Sequence, residues 1–405
     1  MADISLSTGH ATRPVRIRLV LFALAMGGFS IGTAEFAAMS LLPYFSATLA
    51  IDEATASHVI SAYALGVVVG APVLAVLGAR MSRRWLLVGL MMAYGVFNLL
   101  SALAPSYGAM VALRFMAGLP HGAYFGVASL LAASLVPAHQ RTRAVSLLMV
   151  GLTVATVVGV PFATVLGQTV GWRWGFGLVG VLAATTAALI LTHAPRDVAD
   201  RRVNPLRELG ALGNRQVLLT LATAAVGFGG FFAVYTYVAS TLLEVTQAGP
   251  ASVPIALALM GIGMTLGTLG AGWLADKSQV GTIIGIMVVS GLLMLIYPFA
   301  TGSLWAIMPV LFLIGLTACL GTVLETRLMD VAGDAQTMAA AMNHSAFNAA
   351  NALGPWLAAM AITAGHGLPS AGFVGAGLSL AGLVVYGITL WDAQRPASRA
   401  ASPAR

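Results

Sequence analysis

Charge is scarce in this chain. Of its 405 residues 8% are Asp, Glu, Lys or Arg, against 59% hydrophobic, and the mean hydropathy is +0.92. A soluble domain of this length needs far more polar surface, so the composition excludes one and leaves an integral membrane protein. Cysteine is nearly absent as well. Cys319 is the only one and lies in an apolar run, which excludes a disulfide framework and a cysteine metal site. No Walker-type phosphate loop, zinc-ligand cluster or nucleophile elbow stands at a workable place, and there is no soluble domain to hold one. ATP-driven transport is excluded on that ground, and neither cofactor nor metal is expected. The pI near 10.0 suggests nucleic acid only at first sight. Binding it requires a basic face on a folded soluble domain, and none is present.

Long unbroken apolar runs fill the chain instead. A helix crosses the hydrocarbon core with about 20 apolar residues, whereas barrel strands show as alternating runs of about ten. The runs therefore predict helices. Breaks at charged residues and at Gly or Pro place twelve spans at 17–45, 57–79, 85–105, 108–136, 142–168, 173–193, 217–244, 252–275, 280–300, 303–326, 336–364 and 370–391. The polar lead runs straight into a first span too long for a signal-peptide core, so that span is expected to stay. Twelve crossings return both termini to one side. Of the 20 lysines and arginines, 18 fall on that side: in the N-terminal tail (Arg13, Arg16, Arg18), after span two (Arg80, Arg83, Arg84), after span four (Arg141, Arg143), in the central linker, at Lys277 and Arg327, and at the C-terminus. The exceptions are Arg114 and Arg173. By the positive-inside rule the basic side is the cytoplasm, and the high pI reports topology.

The segment 194–216 is the longest polar stretch between spans, and it divides the chain into residues 1–193, a linker, and residues 217–405. The halves carry matching landmarks. Ala79 after span two aligns with Asp276 after span eight at an offset of 197, and Pro161 with Pro355 at 194. Nearly equal offsets indicate a parallel repeat of six spans.

These residues resemble a known family. Two halves of six spans, the basic turn after span two, Arg114-Phe-Met-Ala-Gly118 in span four and Gly151 to Gly159-Val-Pro161 in span five are similar to the major facilitator superfamily. More narrowly, TAEF in span one, GLPHGAYFGVAS at 118–129, GLTVATVVGVPFATVLGQTVGWR at 151–173 and MNHSAFNAANALGPW at 342–356 resemble its drug:proton antiporter branch, of arabinose-efflux-permease and sugar- or drug-exporter type. The resemblance implies an all-α integral membrane fold of 12 transmembrane helices in two pseudo-symmetric six-helix bundles. It also implies proton-coupled efflux of a small molecule across the cytoplasmic membrane by a monomer, with substrate, protons and lipid as the only partners. Ala79 departs from the family's turn, where an acid latches the two halves together; Arg80, Arg83 and Arg84 match it. The second copy, Gly272-Trp-Leu-Ala-Asp276-Lys277, keeps its acid, so the latch is expected between Asp276 and the N-terminus of span five with its Arg141 or Arg143.

Glu35 lies in an otherwise apolar span, and an ionisable group there is a functional candidate once a partner is found. It sits 17 residues past Arg18, roughly 25 Å along the helix, and Arg114, entering from the opposite edge near Gly108, reaches a similar depth about 9 Å in. A direct or water-bridged pair is expected. Burial favours a neutral carboxyl and a nearby guanidinium a charged one, so the balance suits a group that exchanges protons with Arg114 as its tuning partner; a static structural ion pair is the alternative. His121 lies two turns deeper on nearly the same face, either a second proton site or substrate donor, or a neutral packing residue. His344, Asn348 and Asn351 form a polar stripe on span eleven, which in hydrocarbon must face protein or water. It lines a cavity or bonds between helices. Phe228, Phe232 and Tyr235 in span seven share that spacing, and offer an aromatic wall to substrate or simple packing. Gly151, Ala155, Gly159, Ala163 and Gly167 place a small residue at every fourth position of span five, allowing close helix approach, and Pro161 removes a backbone donor and bends it. The resemblance extends this packing role to Gly354 and Pro355. Trp172 and Trp174 read as interface anchors, and Glu244 and Glu325 as charges at span ends. Rival readings are a proton symporter or facilitator for sugars, a transporter-like receptor, and an intramembrane enzyme.

Overall fold

The structure is a computed structural model that describes residues 17–78, 80–137, 140–196, 213–332 and 336–394. The helices are α1 (Ile17–Ser40), α2 (Leu42–Leu49), α3 (Glu53–Gly78), α4 (Arg83–Ala102), α5 (Tyr107–Ser134), α6 (Arg141–Val154), α7 (Val160–Thr169), α8 (Trp172–His193), α9 (Arg215–Gly227), α10 (Gly229–Ser240), α11 (Ser252–Lys277), α12 (Gln279–Ala300), α13 (Leu304–Thr317), α14 (Leu320–Val331), α15 (Gln336–Ala361) and α16 (Ser370–Ala393). Among the described residues there is no strand. Helices α1–α8 pack on one another and α9–α16 on one another, giving two sub-bundles. They meet where α15 lies against α3 and α5, α11 against α6 and α7, and α10 against α1.

Eleven stretches among the described residues are long and apolar enough to cross a membrane. The sequence reading counted twelve; the difference is α15, which is long enough but carries Asn343, His344, Ser345, Asn348 and Asn351. Asn343, Ser345, Asn348 and Asn351 are all buried, as polar groups in hydrocarbon must be. The outer surface is apolar: Leu77, Phe162, Val181, Leu269, Phe299, Trp305 and Leu380 are all exposed, a coat suited to lipid rather than water.

Several expected single spans are broken. The first ends at Ser40, and Pro43 then opens the separate short helix α2. Span seven divides at Phe228, inside the run Gly227-Phe-Gly-Gly230, where glycine weakens helix continuity. Span ten divides at Ala318–Cys319. In span five the ladder widens to a π-helical turn over Ala155–Gly159, just before Pro161, whose ring nitrogen cannot donate.

The small-residue stripe of span five faces its own bundle. A Cβ on Gly151 would collide with the backbone oxygen of Ala25, one on Gly159 with Thr33, and one on Gly167 with Leu41, all on or just after α1. The contact across the bundles uses a different face, where Gly261 of α11 lies against the Thr156 carbonyl. Gly354 of α15 likewise sits on the Gly229 carbonyl, and Pro355 O accepts from Tyr237 Oη at 3.5 Å. Gly151→Val is therefore expected to cost about 1–3 kcal/mol by overpacking, seen as a lower melting temperature in detergent. Gly89→Ala, where nothing lies within 4 Å, is expected to be neutral or stabilising.

Candidate functional site

Glu35 lies in the last third of α1 and is 7% exposed. Its Oε1 accepts a 3.0 Å hydrogen bond from Asn351 Nδ2 on α15, so the carboxylate is bonded across the boundary between the bundles. Asn348, nearly one turn back, donates to His344 O at 3.0 Å. This leaves Asn348 Oδ1 and Asn351 Oδ1 buried without a hydrogen-bond partner in the protein, and Tyr235 Oη on α10 shares that condition. Phe36, next to Glu35, is 5.1 Å from Tyr235 and 6.1 Å from Phe232 between ring centroids. One carboxylate, two amides, a phenol and two phenyl rings thus converge from α1, α10 and α15. Phe228 adjoins this cluster through Phe232, 5.4 Å away between ring centroids, and packs at 4.7 Å against Phe347 of the second bundle.

Arg114 is completely buried in α5, but among the described residues no ion pair joins it to Glu35. This corrects the expected direct pairing. Its Nη1 donates to Asn98 Oδ1 of α4 at 3.0 Å, and its guanidinium lies 4.2 Å above the Tyr63 ring and 5.2 Å from that of Phe176. Asn98 Nδ2 donates to Tyr94 O at 2.8 Å, which leaves the amide oxygen free for the arginine. The amide and the rings, which the sequence reading did not select, hold it.

His121 is buried two turns further along α5. Its Nδ1 lies 2.9 Å from Tyr63 Oη, which is 3.0 Å from Tyr94 Oη. Its ring centroid is 6.4 Å from that of His344, and His344 stacks on Phe125 at 4.7 Å with 7° between planes. A polar chain therefore runs from α4 through α3 and α5 to the second bundle. Asn98 carried a signal, being the one asparagine in the first six spans. Tyr63 and Tyr94 carried none, since tyrosines inside apolar runs usually pack.

Of the expected latch, Asp276 is exposed near the end of α11 and Lys277 lies 3.4 Å from the centroid of the Trp273 ring. Arg80 and Arg83 are exposed, while Arg84 donates to Leu191 O and flanks Trp85. The side chains of Arg141 and Arg143, the terminal arginines, most of the linker and Ala79 lie outside the described residues. Two further readings change. Trp172 is no interface anchor: it is buried, and its indole donates to Thr48 Oγ1 at 3.0 Å, whereas Trp174 is exposed. Glu325 lies inside the Leu304–Val331 span and is half-buried, because span ten continues past its break.

Side-chain hydrogen bonds that cross the bundles include Glu35 with Asn351, Ser61 Oγ to Ala352 O at 3.1 Å, and Gln168 Nε2 to Pro250 O at 2.9 Å. All three lie toward the end away from the basic residues. At that end the two bundles are joined.

Comparison with known proteins agrees with this architecture. The model of the Major Facilitator Superfamily matches residues 24–330. The chain is 38% identical to the inner membrane transport protein YdhP of Escherichia coli K12 over 370 residues, 90% of this chain and 95% of that one. It is 34% identical to a chloramphenicol resistance protein of Streptomyces lividans, covering 86% and 90%. In fold it is similar to a mutant of the nucleoside transporter NupG, with a TM-score of 0.73, 15% identity, and coverage of 92% and 100%. Two helical sub-bundles of membrane length meeting at a buried polar seam define a multi-pass membrane transport protein, not an enzyme. The chain belongs to the major facilitator superfamily, and its class is that of secondary transporters of small organic molecules.

Proposed function

We propose that the protein exports a small organic molecule across the cytoplasmic membrane in exchange for a proton, by alternating access. The observation that carries this reading is Glu35: a buried carboxylate, bonded across the bundle boundary to an amide and, among the described residues, without an ion pair. A group so placed can couple its charge state to the contact between the halves. Arg114 tunes it through space, and His121 with His344 extends the polar path. Glu35, Tyr235, Phe232, Asn348 and Asn351 form the substrate site, whose orphan oxygens favour a ligand with hydrogen-bond donors. In this reading α15 is the twelfth crossing and the halves are residues 1–193 and 217–405. The basic end is cytoplasmic, Asp276 latches it in the alternate state, and the unit is a monomer. The relatives' names support the membrane and the substrate class: one is an inner membrane transport protein, another confers chloramphenicol resistance.

The test is proton flux in inverted vesicles loaded with a pH dye and challenged with lipophilic cations, neutral antibiotics, nucleosides and sugars. Some compound is expected to release protons from wild-type vesicles and not from Glu35→Gln vesicles. Transport with no proton movement sinks the proposal in favour of a facilitator, and proton movement of opposite sign in favour of a symporter.

A further inference from the structure

The basic end of the first bundle holds a cavity that the transport site does not use. It lies where the start of α4 meets the end of α8, encloses about 360 Å³ and is lined by Ser82, Arg84, Trp85, Leu191 and Arg196. Two of these five residues are cations and none is an acid. The Arg84 guanidinium is held at two points, donating to Leu191 O of α8 and lying 5.9 Å from the centroid of the Trp85 ring. It turns to a helix of its own bundle. Arg196, just past α8, is exposed, as are Arg80 and Arg83 in the turn that leads into α4. From Gly78 to Trp85 the chain carries three arginines and no acid.

The local charge is larger than the side chains alone supply. Ser82 caps α4 by accepting from Trp85 N at 3.3 Å, and the helix brings the partial positive charge of its first N–H groups to this place. Arg83 and Arg84 add two cations in the first turn, where that charge opposes them and no acidic residue relieves it. An anion in the cavity relieves both. Its other wall faces lipid: Trp85 is 58% exposed, and Gly89, Met92, Val96 and Leu99 follow it at helical spacing on the exposed face of α4. Nothing lies within 4 Å of a Cβ built on Gly89, so the stripe is notched one turn past Trp85. A soluble anion uses the charge and leaves the stripe bare, whereas a phospholipid uses both.

We propose that this cavity binds the phosphodiester of an anionic glycerophospholipid, with Arg84 and Arg196 paired to the phosphate and an acyl chain lying along Trp85, Gly89 and Met92. Basic pockets between helix ends at a membrane surface recognise such headgroups. The indole stands at the level where aromatic side chains anchor to the interface. A zwitterionic lipid brings an ammonium of its own, for which the cavity holds no carboxylate, so a lipid of net negative charge is preferred. The bound lipid bridges α4 and α8 at the turn that precedes α4. This site is independent of the proton-exchange reading.

The test presents the full chain, purified in a neutral detergent, with equal amounts of phosphatidylglycerol and phosphatidylcholine, and counts the lipid retained by native mass spectrometry. Wild type is expected to retain phosphatidylglycerol in preference. Arg196→Gln is expected to cut that preference about fivefold, and Arg84→Gln with Arg196→Gln about 25-fold. Should the double variant fail to fold, Arg196→Gln decides alone, since it alters only an exposed side chain. Arg173→Gln removes an exposed arginine beside Trp172, away from the cavity, and is expected to change nothing. Phosphatidylglycerol with brominated acyl chains is expected to quench wild-type fluorescence more than that of Trp85→Phe. Equal retention of the two lipids, an equal loss in Arg173→Gln, or quenching that ignores Trp85 overturns the site. Displacement of the lipid by inorganic phosphate overturns it in favour of a soluble anion. A preference that appears only in Asp197→Asn with Asp200→Asn overturns it in favour of the linker's own acids. No transport is measured, so the lipid site can stand where proton-coupled efflux fails, and the reverse.

Discussion

Glu35→Gln is expected to leave substrate exchange intact and to abolish accumulation. The glutamine keeps the side chain's volume, and its Oε1 can still accept from Asn351 Nδ2, now 3.0 Å from the carboxylate. What it cannot do is gain and lose a proton. One elementary charge moving through 100 mV supplies about 2.3 kcal/mol, enough to sustain roughly a 50-fold concentration ratio. With the coupling removed, that ratio is expected to fall to about one in vesicles carrying the same potential. Counterflow of labelled substrate against unlabelled substrate is expected to continue. The two measurements separate uncoupling from misfolding, which would abolish both. Accumulation that persists in Glu35→Gln would move the proton site elsewhere, and His121 with His344 would be the next pair to replace.

The parts of this site that were legible in the sequence are those that physics forbids elsewhere. A carboxylate, an arginine and a row of asparagines inside apolar runs each demand a partner or water, so Glu35, Arg114 and the stripe of α15 stood out by their cost alone. Which partner each one takes was not legible. Similar depths for Glu35 and Arg114 suggested a pair, yet depth along two helices says nothing of their rotation. Asn98 on a third helix captures the guanidinium, and Asn351 of the other bundle captures the carboxylate. The breaks at Phe228 and Ala318 were hidden for a related reason: hydropathy is blind to a local change of backbone path that leaves the run apolar. The small-residue stripe was visible as a packing face, but which neighbour it meets depends on tertiary arrangement, and Gly151, Gly159 and Gly167 turn to their own bundle.

Arg114→Ala is expected to be the most damaging single change in the first bundle. The guanidinium is completely buried, and three contacts end on it: Asn98 Oδ1 at 3.0 Å and the rings of Tyr63 at 4.2 Å and Phe176 at 5.2 Å. Truncation leaves the Asn98 oxygen, itself fully buried, without its donor and strips two aromatic faces of their cation. Losing a charged hydrogen bond costs about 1.5–3 kcal/mol, and each desolvated cation–π contact about 2 kcal/mol, before the cavity is counted. Arg114→Lys keeps the charge but not the planar fork, so it cannot cover Tyr63 while reaching Asn98 and is expected to fall between the two. A double-mutant cycle with Asn98→Leu isolates the hydrogen bond, because removing both partners spares the orphaned amide. Melting temperatures of the four proteins in one detergent decide the matter: additive losses mean that the bond contributes nothing. A coupled loss means that α4 and α5 are fastened through Arg114, and that the tyrosine pair leading to His121 takes its position from that fastening.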